Sequence, residues 1–142
     1  MRGLLLIPLL AITWAMPAGA EGDVELGPVT HAATRKECGA CHMAFQPGLL
    51  PAASWRQIMS GLARHFGEDA SLEPAKAADI EQYLVGHAGQ GDGAVLRITE
   101  QRWFLREHRH IATTIWARPD IKTRSNCAAC HPAAERGVFE DD

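Results

Sequence analysis

Every cysteine of the chain lies in one of two five-residue motifs whose residue types could attach a prosthetic group covalently. The motifs read C-G-A-C-H at residues 38–42 and C-A-A-C-H at residues 127–131. In the pattern C-x-x-C-H, each thiol can add across a vinyl group of haem, and the histidine that follows can ligate the iron. The predicted attachment residues are Cys38, Cys41, Cys127 and Cys130, and the predicted proximal ligands are His42 and His131.

Three other uses of the cysteines are open at this point: two disulfides, a thioredoxin-like redox pair, or one zinc ion held by all four thiolates. A redox pair requires a βαβ context, which the sequence pattern does not suggest. A zinc ion bound by thiolates alone leaves the histidine after each pair without a role. Two copies of the motif, which together use all four cysteines, favour two covalently bound c-type haems.

The first twenty residues have the pattern of an export signal. Arg2 supplies a positive charge, residues 4–12 form a short apolar run, and Ala18-Gly19-Ala20 matches the small-residue cleavage pattern. The run is too short for a membrane-spanning helix, which needs roughly 20 apolar residues. We therefore expect cleavage after Ala20 and an exported protein without a transmembrane anchor.

Composition narrows the class of protein further. The formal net charge is −3, with 14 Lys and Arg against 17 Asp and Glu, which argues against a nucleic-acid-binding protein. Hydrophobic residues make up 46% of the chain and charged residues 22%, as in a folded globular protein. Only 6% of residues are aromatic, so we expect the haems themselves to form much of the core.

Helical patterns dominate, and they predict a small all-α fold with little regular structure between the helices. Ser54 and Gln57 have the spacing of a capping box, which predicts a helix that begins there and ends at Gly67. A second helix is predicted from Pro74 to Gly86, because proline is favoured in the first turn and glycine after the last.

The second half of the chain has a comparable organisation in the reverse order. A third helix is predicted after Thr99, and a last helical segment, after Ser125 or Asn126, carries the second motif. The Gly-rich residues between the two halves predict a flexible linker. The predicted parts are a signal peptide at 1–20, a first haem half at 21–85, the linker at 86–95 and a second haem half at 96–142.

Two further histidines are candidates for the distal iron ligands. His65 lies on the apolar side of its predicted helix, and His108 has apolar neighbours on its own helix face. An imidazole without a partner on such a face is costly, so we expect each to bind an iron, His65 that of the first haem and His108 that of the second. The alternatives left open are His110, His31 and Met59.

Five stretches of the sequence match a known pattern: residues 38–52, 54–55, 61–72, 97–108 and 126–137. In these stretches the chain resembles the exported bacterial dihaem cytochrome c family (DHC type). The resemblance implies two low-spin haems, ligated by His42 with His65 and by His131 with His108, in a periplasmic electron carrier. It also implies an oxygen-binding monohaem cytochrome c (SHP type) as acceptor and a membrane cytochrome b as donor.

The sequence thus predicts a one-electron transfer protein rather than an enzyme. Two alternatives remain: a haem protein with one open iron that acts as a gas sensor or redox enzyme, and a subunit of a larger redox complex. Residues 97–124 carry seven Arg and Lys against three acids, whereas residues 68–92 carry six acids against Lys76. Such polarity can steer redox partners into weak encounters.

Overall fold

A computed structural model describes residues 26–139, and within them the chain is all-α, as predicted. Five α-helices are joined by loops and by single-turn 3₁₀-helices, and the only β-type pairings in this range are isolated bridges. No helix in the described range has both the length and the apolar character needed to cross a membrane. The α-helices are α1 (Ala32–Cys38), α2 (Ala52–Ser60), α3 (Pro74–Gly86), α4 (Arg102–Glu107) and α5 (Thr113–Trp116). The predicted signal peptide lies outside the described residues.

The helix predicted from Pro74 to Gly86 is confirmed as α3. Pro74 occupies the first turn, where its missing N–H costs no hydrogen bond. The carboxylate of Glu73 caps the helix by accepting a hydrogen bond from the backbone N–H of Lys76, at 3.2 Å. The start of this helix is therefore determined by residues next to it in the sequence.

The capping box predicted at Ser54 is wrong, because the residue that caps α2 is Pro51, three residues earlier, and the helix begins at Ala52. The Ser54 hydroxyl, fully buried, donates instead to the carbonyl of Val95 at 2.8 Å. The amide of Gln57 donates to the carbonyl of Gly93 at 3.4 Å. These two side chains therefore attach α2 to the segment around residue 94 instead of starting the helix.

The first predicted helix is also shorter than expected, since α2 ends at Ser60 and Gly61 interrupts it. A 3₁₀-helix, Leu62–Arg64, follows, and His65 is the residue immediately after it. The prediction that His65 lies on a helix face is therefore wrong. A tight turn holds His65 instead, because its carbonyl accepts a hydrogen bond from the N–H of Glu68 at 3.1 Å.

The core lies mainly between α2 and α3. Trp55 is buried there, and its indole N–H donates to the carbonyl of Pro47 at 2.8 Å. The Gly-rich linker packs along this core, since the N–H of Gly89 donates to the carbonyl of Leu50 at 2.9 Å. The buried core residues are Leu49, Leu50, Trp55, Ile58, Met59, Ile80, Leu84, Ile98 and Phe104. Whether the chain divides functionally into two haem halves stays a prediction.

Two long-range contacts join the beginning of the described chain to its end. The backbone N–H of Leu26 donates to the carbonyl of Gly137 at 2.9 Å. The side-chain amide of Gln46, which is 1% exposed, donates to the carbonyl of Ala134 at 2.8 Å. The loop after the first motif is thereby fixed against the loop after the second.

Candidate haem sites

The first motif follows directly from α1, whose last residue is Cys38. The Cys38 side chain is partly buried, whereas Cys41 and His42 are exposed. Burial raises the pKa of the Cys38 thiol, and the neighbouring Glu37 carboxylate raises it further. The motif therefore presents a protonated thiol at neutral pH, next to an accessible imidazole.

The second motif begins with a 3₁₀-helix, Cys127–Ala129, which confirms the helical segment predicted after Asn126. The side-chain amide of Asn126 donates to the carbonyl of Ile121 at 3.0 Å and so fixes the start of the turn. Burial raises the pKa of the Cys127 thiol, and the neighbouring Cys130 adds to the effect. The two motifs thus share a partly buried first cysteine and an exposed second one.

The arrangement of the cysteines excludes two of the alternative uses within the described residues. All four thiols are free, so neither motif forms a disulfide. No group of three or more His, Cys, Asp or Glu side chains between residues 26 and 139 is arranged to hold a metal ion by itself. A zinc site made of four thiolates is therefore absent from this part of the chain.

The imidazole rings of His42 and His65 face each other, with ring centres 6.2 Å apart and planes inclined by 27°. The Nδ1 of His42 lies 2.7 Å from the carbonyl oxygen of Met43. Because a carbonyl can only accept, Nδ1 carries the hydrogen and Nε2 keeps its lone pair for a metal. Burial lowers the pKa of His65, and the charges of His42 and Arg97 lower it further, which favours the neutral ring that ligates metals.

The second pair of rings has the same separation, with the centres of His108 and His131 at 6.1 Å and their planes inclined by 87°. His108 immediately follows α4, and its Nδ1–H donates to the carbonyl of Phe104 at 2.9 Å. Its ring also stacks on Phe104 at 3.9 Å and contacts Trp116 at 5.8 Å. These contacts leave Nε2 of His108 as the ring nitrogen available to a metal.

Both separations fit one metal ion placed between two imidazoles. Metal–imidazole bonds are about 2 Å long, and a ring centre lies about 1 Å beyond its nitrogen, so a shared ion separates the centres by roughly 6 Å. The sets of residues present at each site, two thiols and two histidines, therefore fit a covalently attached haem with an axial ligand on each side.

The alternative distal ligands lie in other surroundings. The two ring nitrogens of His31 lie 3.2 Å from a carboxylate oxygen of Asp79 and 2.9 Å from the hydroxyl of Thr34. His110 is exposed in the loop after α4. Met59 is 8% exposed and belongs to the core cluster between α2 and α3.

Three residues near the sites were not predicted from the sequence to have a role there. Phe66 has a positive φ of 52° and forms an edge contact of 4.8 Å with His65. The guanidinium of Arg97 lies over the Phe66 ring, 4.3 Å from its centre. Gln46 connects the loops that follow the two motifs. Only the Phe66-Gly67 pair carried a local signal, since a glycine beside a helix end marks a turn.

The fold and the two sites define the class of protein: a small all-α cytochrome with two covalently attached haems. Residues 34–139 match the DHC family, dihaem cytochrome c, and the chain belongs to that family. It therefore carries two c-type haems and functions as a haem electron-transfer protein. No curated protein matches the chain.

Solved structures of dihaem cytochromes are similar over most of the chain. DHC purified from Rhodobacter sphaeroides is 48% identical, with a TM-score of 0.69, over 79% of this chain and 99% of that one. A diheme cytochrome c from Rhodobacter sphaeroides is 44% identical, with a TM-score of 0.73, over 80% and 99%. The diheme cytochrome sb-DHC from Shewanella baltica is 44% identical, with a TM-score of 0.71, over 77% and 86%.

Proposed function

We propose that the protein is a one-electron carrier in which both haem irons have two histidine ligands. His42 and His65 ligate the first iron, and His131 and His108 ligate the second. The ring separations of 6.2 and 6.1 Å are the observation that carries this assignment. Bound haem supplies the redox chemistry, which is the gain and loss of one electron at iron.

Occupation of both axial positions determines the kind of chemistry. A saturated iron exchanges electrons without binding a substrate, whereas an open position favours gas binding or oxidation. The hydrogen bonds from His42 to Met43 and from His108 to Phe104 support the proposal, because they orient each Nε2 and limit reorganisation during electron transfer. The chain acts as a carrier, not as an enzyme.

The basic segment 97–124 supports an acidic redox partner that docks near the second haem. Each of its three acids has an ion pair within the segment: Arg97 with Glu100, Arg106 with Glu107, and Arg118 with Asp120. The segment therefore keeps a net positive charge near His108. Its other cations, all exposed, are Arg102, Arg109, Lys122 and Arg124.

This charge predicts a salt-dependent encounter, since exposed charges more than about 10 Å apart are screened at 0.1 M salt. The second-order rate constant for electron exchange with an acidic redox protein should fall as ionic strength rises. Lys122→Glu should slow the exchange, whereas Lys36→Glu on α1 should have little effect.

The partners we propose are a monohaem cytochrome c of the SHP type as electron acceptor and a membrane cytochrome b as electron donor.

We also propose that the carrier works in the periplasm after removal of residues 1–20. The apolar run and the Ala18-Gly19-Ala20 pattern support this location. Mass spectrometry of the protein from a periplasmic extract should give a mature chain that begins at Glu21 and carries two haems. A chain retained with Met1 in the cytoplasm would contradict the proposal.

Carbon monoxide tests the ligation in the intact holoprotein. It binds ferrous haem only where an axial position is open, so the reduced protein should show no fast shift of its Soret band. A rapid, stoichiometric shift would instead support a gas sensor or a redox enzyme. Recovery of the protein only as part of a larger assembly would favour a subunit role.

A further inference from the structure

A cation from the second half of the chain lies close to the distal ligand of the first haem. The ring of Phe66 contacts that of His65 at 4.8 Å, and the Arg97 guanidinium lies 4.3 Å above the centre of the Phe66 ring. The guanidinium carbon therefore lies within about 9 Å of the centre of the His65 ring. Arg97 reaches this position from beyond the Gly-rich linker at 86–95.

The backbone around His65 holds this arrangement in place. Phe66 and Gly67 both have positive φ, 52° and 112°, in the turn closed by the hydrogen bond between His65 and Glu68. A positive φ at phenylalanine is unfavourable, so the surroundings must stabilise it. The contact of the Phe66 ring with Arg97 is one such interaction, because a guanidinium is attracted to an aromatic face.

The charge of Arg97 is only partly compensated. Its Nε lies 3.6 Å from a carboxylate oxygen of Glu100, and the two side chains are 49% and 62% exposed. An ion pair this exposed is weak. The positive potential of Arg97 therefore extends to the first haem site.

The second site has a more distant version of the same arrangement. Trp116 contacts the ring of His108 at 5.8 Å, and the guanidinium of Arg124 lies 5.3 Å from the Trp116 ring centre. Both the distance between the rings and the distance from the guanidinium to the aromatic ring are longer than at the first site. The two haems therefore experience different electrostatic potentials from these cations.

We propose that Arg97 raises the reduction potential of the first haem and thereby favours residence of the electron there. The inference rests on the proposed function as an electron carrier. Reduction adds one electron, supplied by the redox partner, and leaves every bond in place. The iron site then carries one positive charge less, so a nearby cation stabilises the reduced state relative to the oxidised one.

The expected size follows from Coulomb's law. A unit charge at about 10 Å, with an effective dielectric constant between about 25 and 80, changes the equilibrium constant for reduction by roughly two- to tenfold. For a one-electron couple this corresponds to about 20–60 mV.

Spectroelectrochemical titration of the holoprotein tests the proposal. His65→Met identifies the potential of the first haem, because methionine in place of histidine raises it. Arg97→Gln should lower that same potential by about 20–60 mV and leave the other unchanged. Arg97→Lys should stay near the wild-type value, and Glu100→Gln should shift the potential upward.

The control is Arg56→Gln, which removes an exposed arginine from α2. The proposal is overturned if Arg97→Gln leaves both potentials unchanged, if Arg56→Gln lowers the first potential equally, or if Arg97→Lys falls as far as Arg97→Gln. Loss of the low-spin signal in Arg97→Gln would also overturn it, because Arg97 would then act by holding His65 in place. Failure of the proposed function itself has a different signature, which is carbon monoxide binding by the reduced wild-type protein.

Discussion

His42 and His65 face each other with ring planes only 27° apart. The rings of His108 and His131, at nearly the same separation, are inclined by 87°. When two axial imidazoles are nearly parallel, both donate π-electron density to the same iron d orbital. When they are perpendicular, each donates to a different one. With the proposed ligands, the two sites should therefore differ electronically even though each iron would have two imidazoles.

This difference predicts two distinct low-spin signals in the low-temperature EPR spectrum of the oxidised protein. The first haem should give a rhombic signal, and the second a strongly anisotropic signal with one feature at high g. His65→Ala should remove the rhombic signal and His108→Ala the anisotropic one, and each variant should gain one carbon monoxide site. The controls His110→Ala and His31→Ala should keep both signals; loss of either in a control would reassign a ligand.

Covalent haem should be necessary for the fold. Changing both motifs to S-x-x-S-H removes the thiols that attach the two haems and thereby the largest apolar groups of the protein. A short chain with few aromatic residues is marginal at burying a core by itself. We expect circular dichroism of this variant to show that most helical signal is lost, whereas a native-like spectrum would show that the α2–α3 core folds alone.

Gln46 should contribute measurably to stability through its buried hydrogen bond to Ala134. Gln46→Leu removes one of the two donors to that carbonyl, which also accepts a hydrogen bond from the N–H of Gly137 at 2.9 Å, and should lower the free energy of unfolding by about 1 kcal/mol. Gln46→Glu should cost more, about 3 kcal/mol or above, because a carboxylate would face the carbonyls of Ala134 and Glu135. Guanidinium denaturation measures both.

The control for Gln46 is Gln57→Leu, which removes a longer and more exposed hydrogen bond. Its effect should stay within about 0.5 kcal/mol. An equal loss in Gln46→Leu and Gln57→Leu would contradict the role given to the buried amide.

Gly137 should be intolerant of any side chain. Its φ is +78°, and an added Cβ would collide with the backbone carbonyl of Gly27. Gly67 also has positive φ, +112°, but a Cβ there meets nothing within 4 Å. Gly67→Ala should therefore cost only the conformational strain, about 1–2 kcal/mol, and Gly137→Ala clearly more in the same denaturation experiment. Equal costs would show that the backbone at Gly27 moves freely.

The ion pair between Lys76 and Glu37, at 2.8 Å, joins α3 to α1 and should make stability pH-dependent. The hydrogen bond with Lys76 lowers the pKa of Glu37, and the same bond raises the pKa of Lys76. A lowered Glu37 pKa stabilises the fold above its ordinary pKa of about 4.3, and this contribution is lost as the pH falls through the lowered value. The raised Lys76 pKa stabilises below about 10.4 and is lost as the pH rises through the raised value.

Glu37→Gln should therefore be slightly less stable than wild type at pH 7. The two proteins should be equally stable in strong acid, where Glu37 of the wild type is protonated in both the folded and the unfolded state. Thermal unfolding at the two pH values measures the difference, which should be small because the two side chains are 22% and 41% exposed. The control is Glu81→Gln, a change on the same helix as Lys76 that leaves the pair of Lys76 and Glu37 in place.

The predictions that are confirmed depend on interactions between residues that are close together in the sequence. The start of α3 could be predicted because Glu73, Pro74 and Lys76 interact within one turn. The motifs could be identified because their chemistry requires five consecutive residues. The family and its two haems, confirmed by the comparisons, depend on the same local patterns.

The predictions that are wrong concern residues whose contacts are with partners far away in the sequence. Ser54 bonds a residue 41 positions away, and Gln57 one 36 positions away, so their spacing as a capping box was misleading. His65 follows a 3₁₀-helix instead of lying on a helix face. Helical periodicity could not show this, because the turn at Phe66 and the contact with Arg97 depend on tertiary packing.

The hydrogen bond between Gln46 and Ala134 also couples the surroundings of the two haem-binding motifs. Gln46 closely follows His42, yet its partner lies 88 residues later, just after His131. The loop after each motif is thus held in part by the loop after the other. A change that displaces one of these loops is therefore transmitted to the other through a single buried amide.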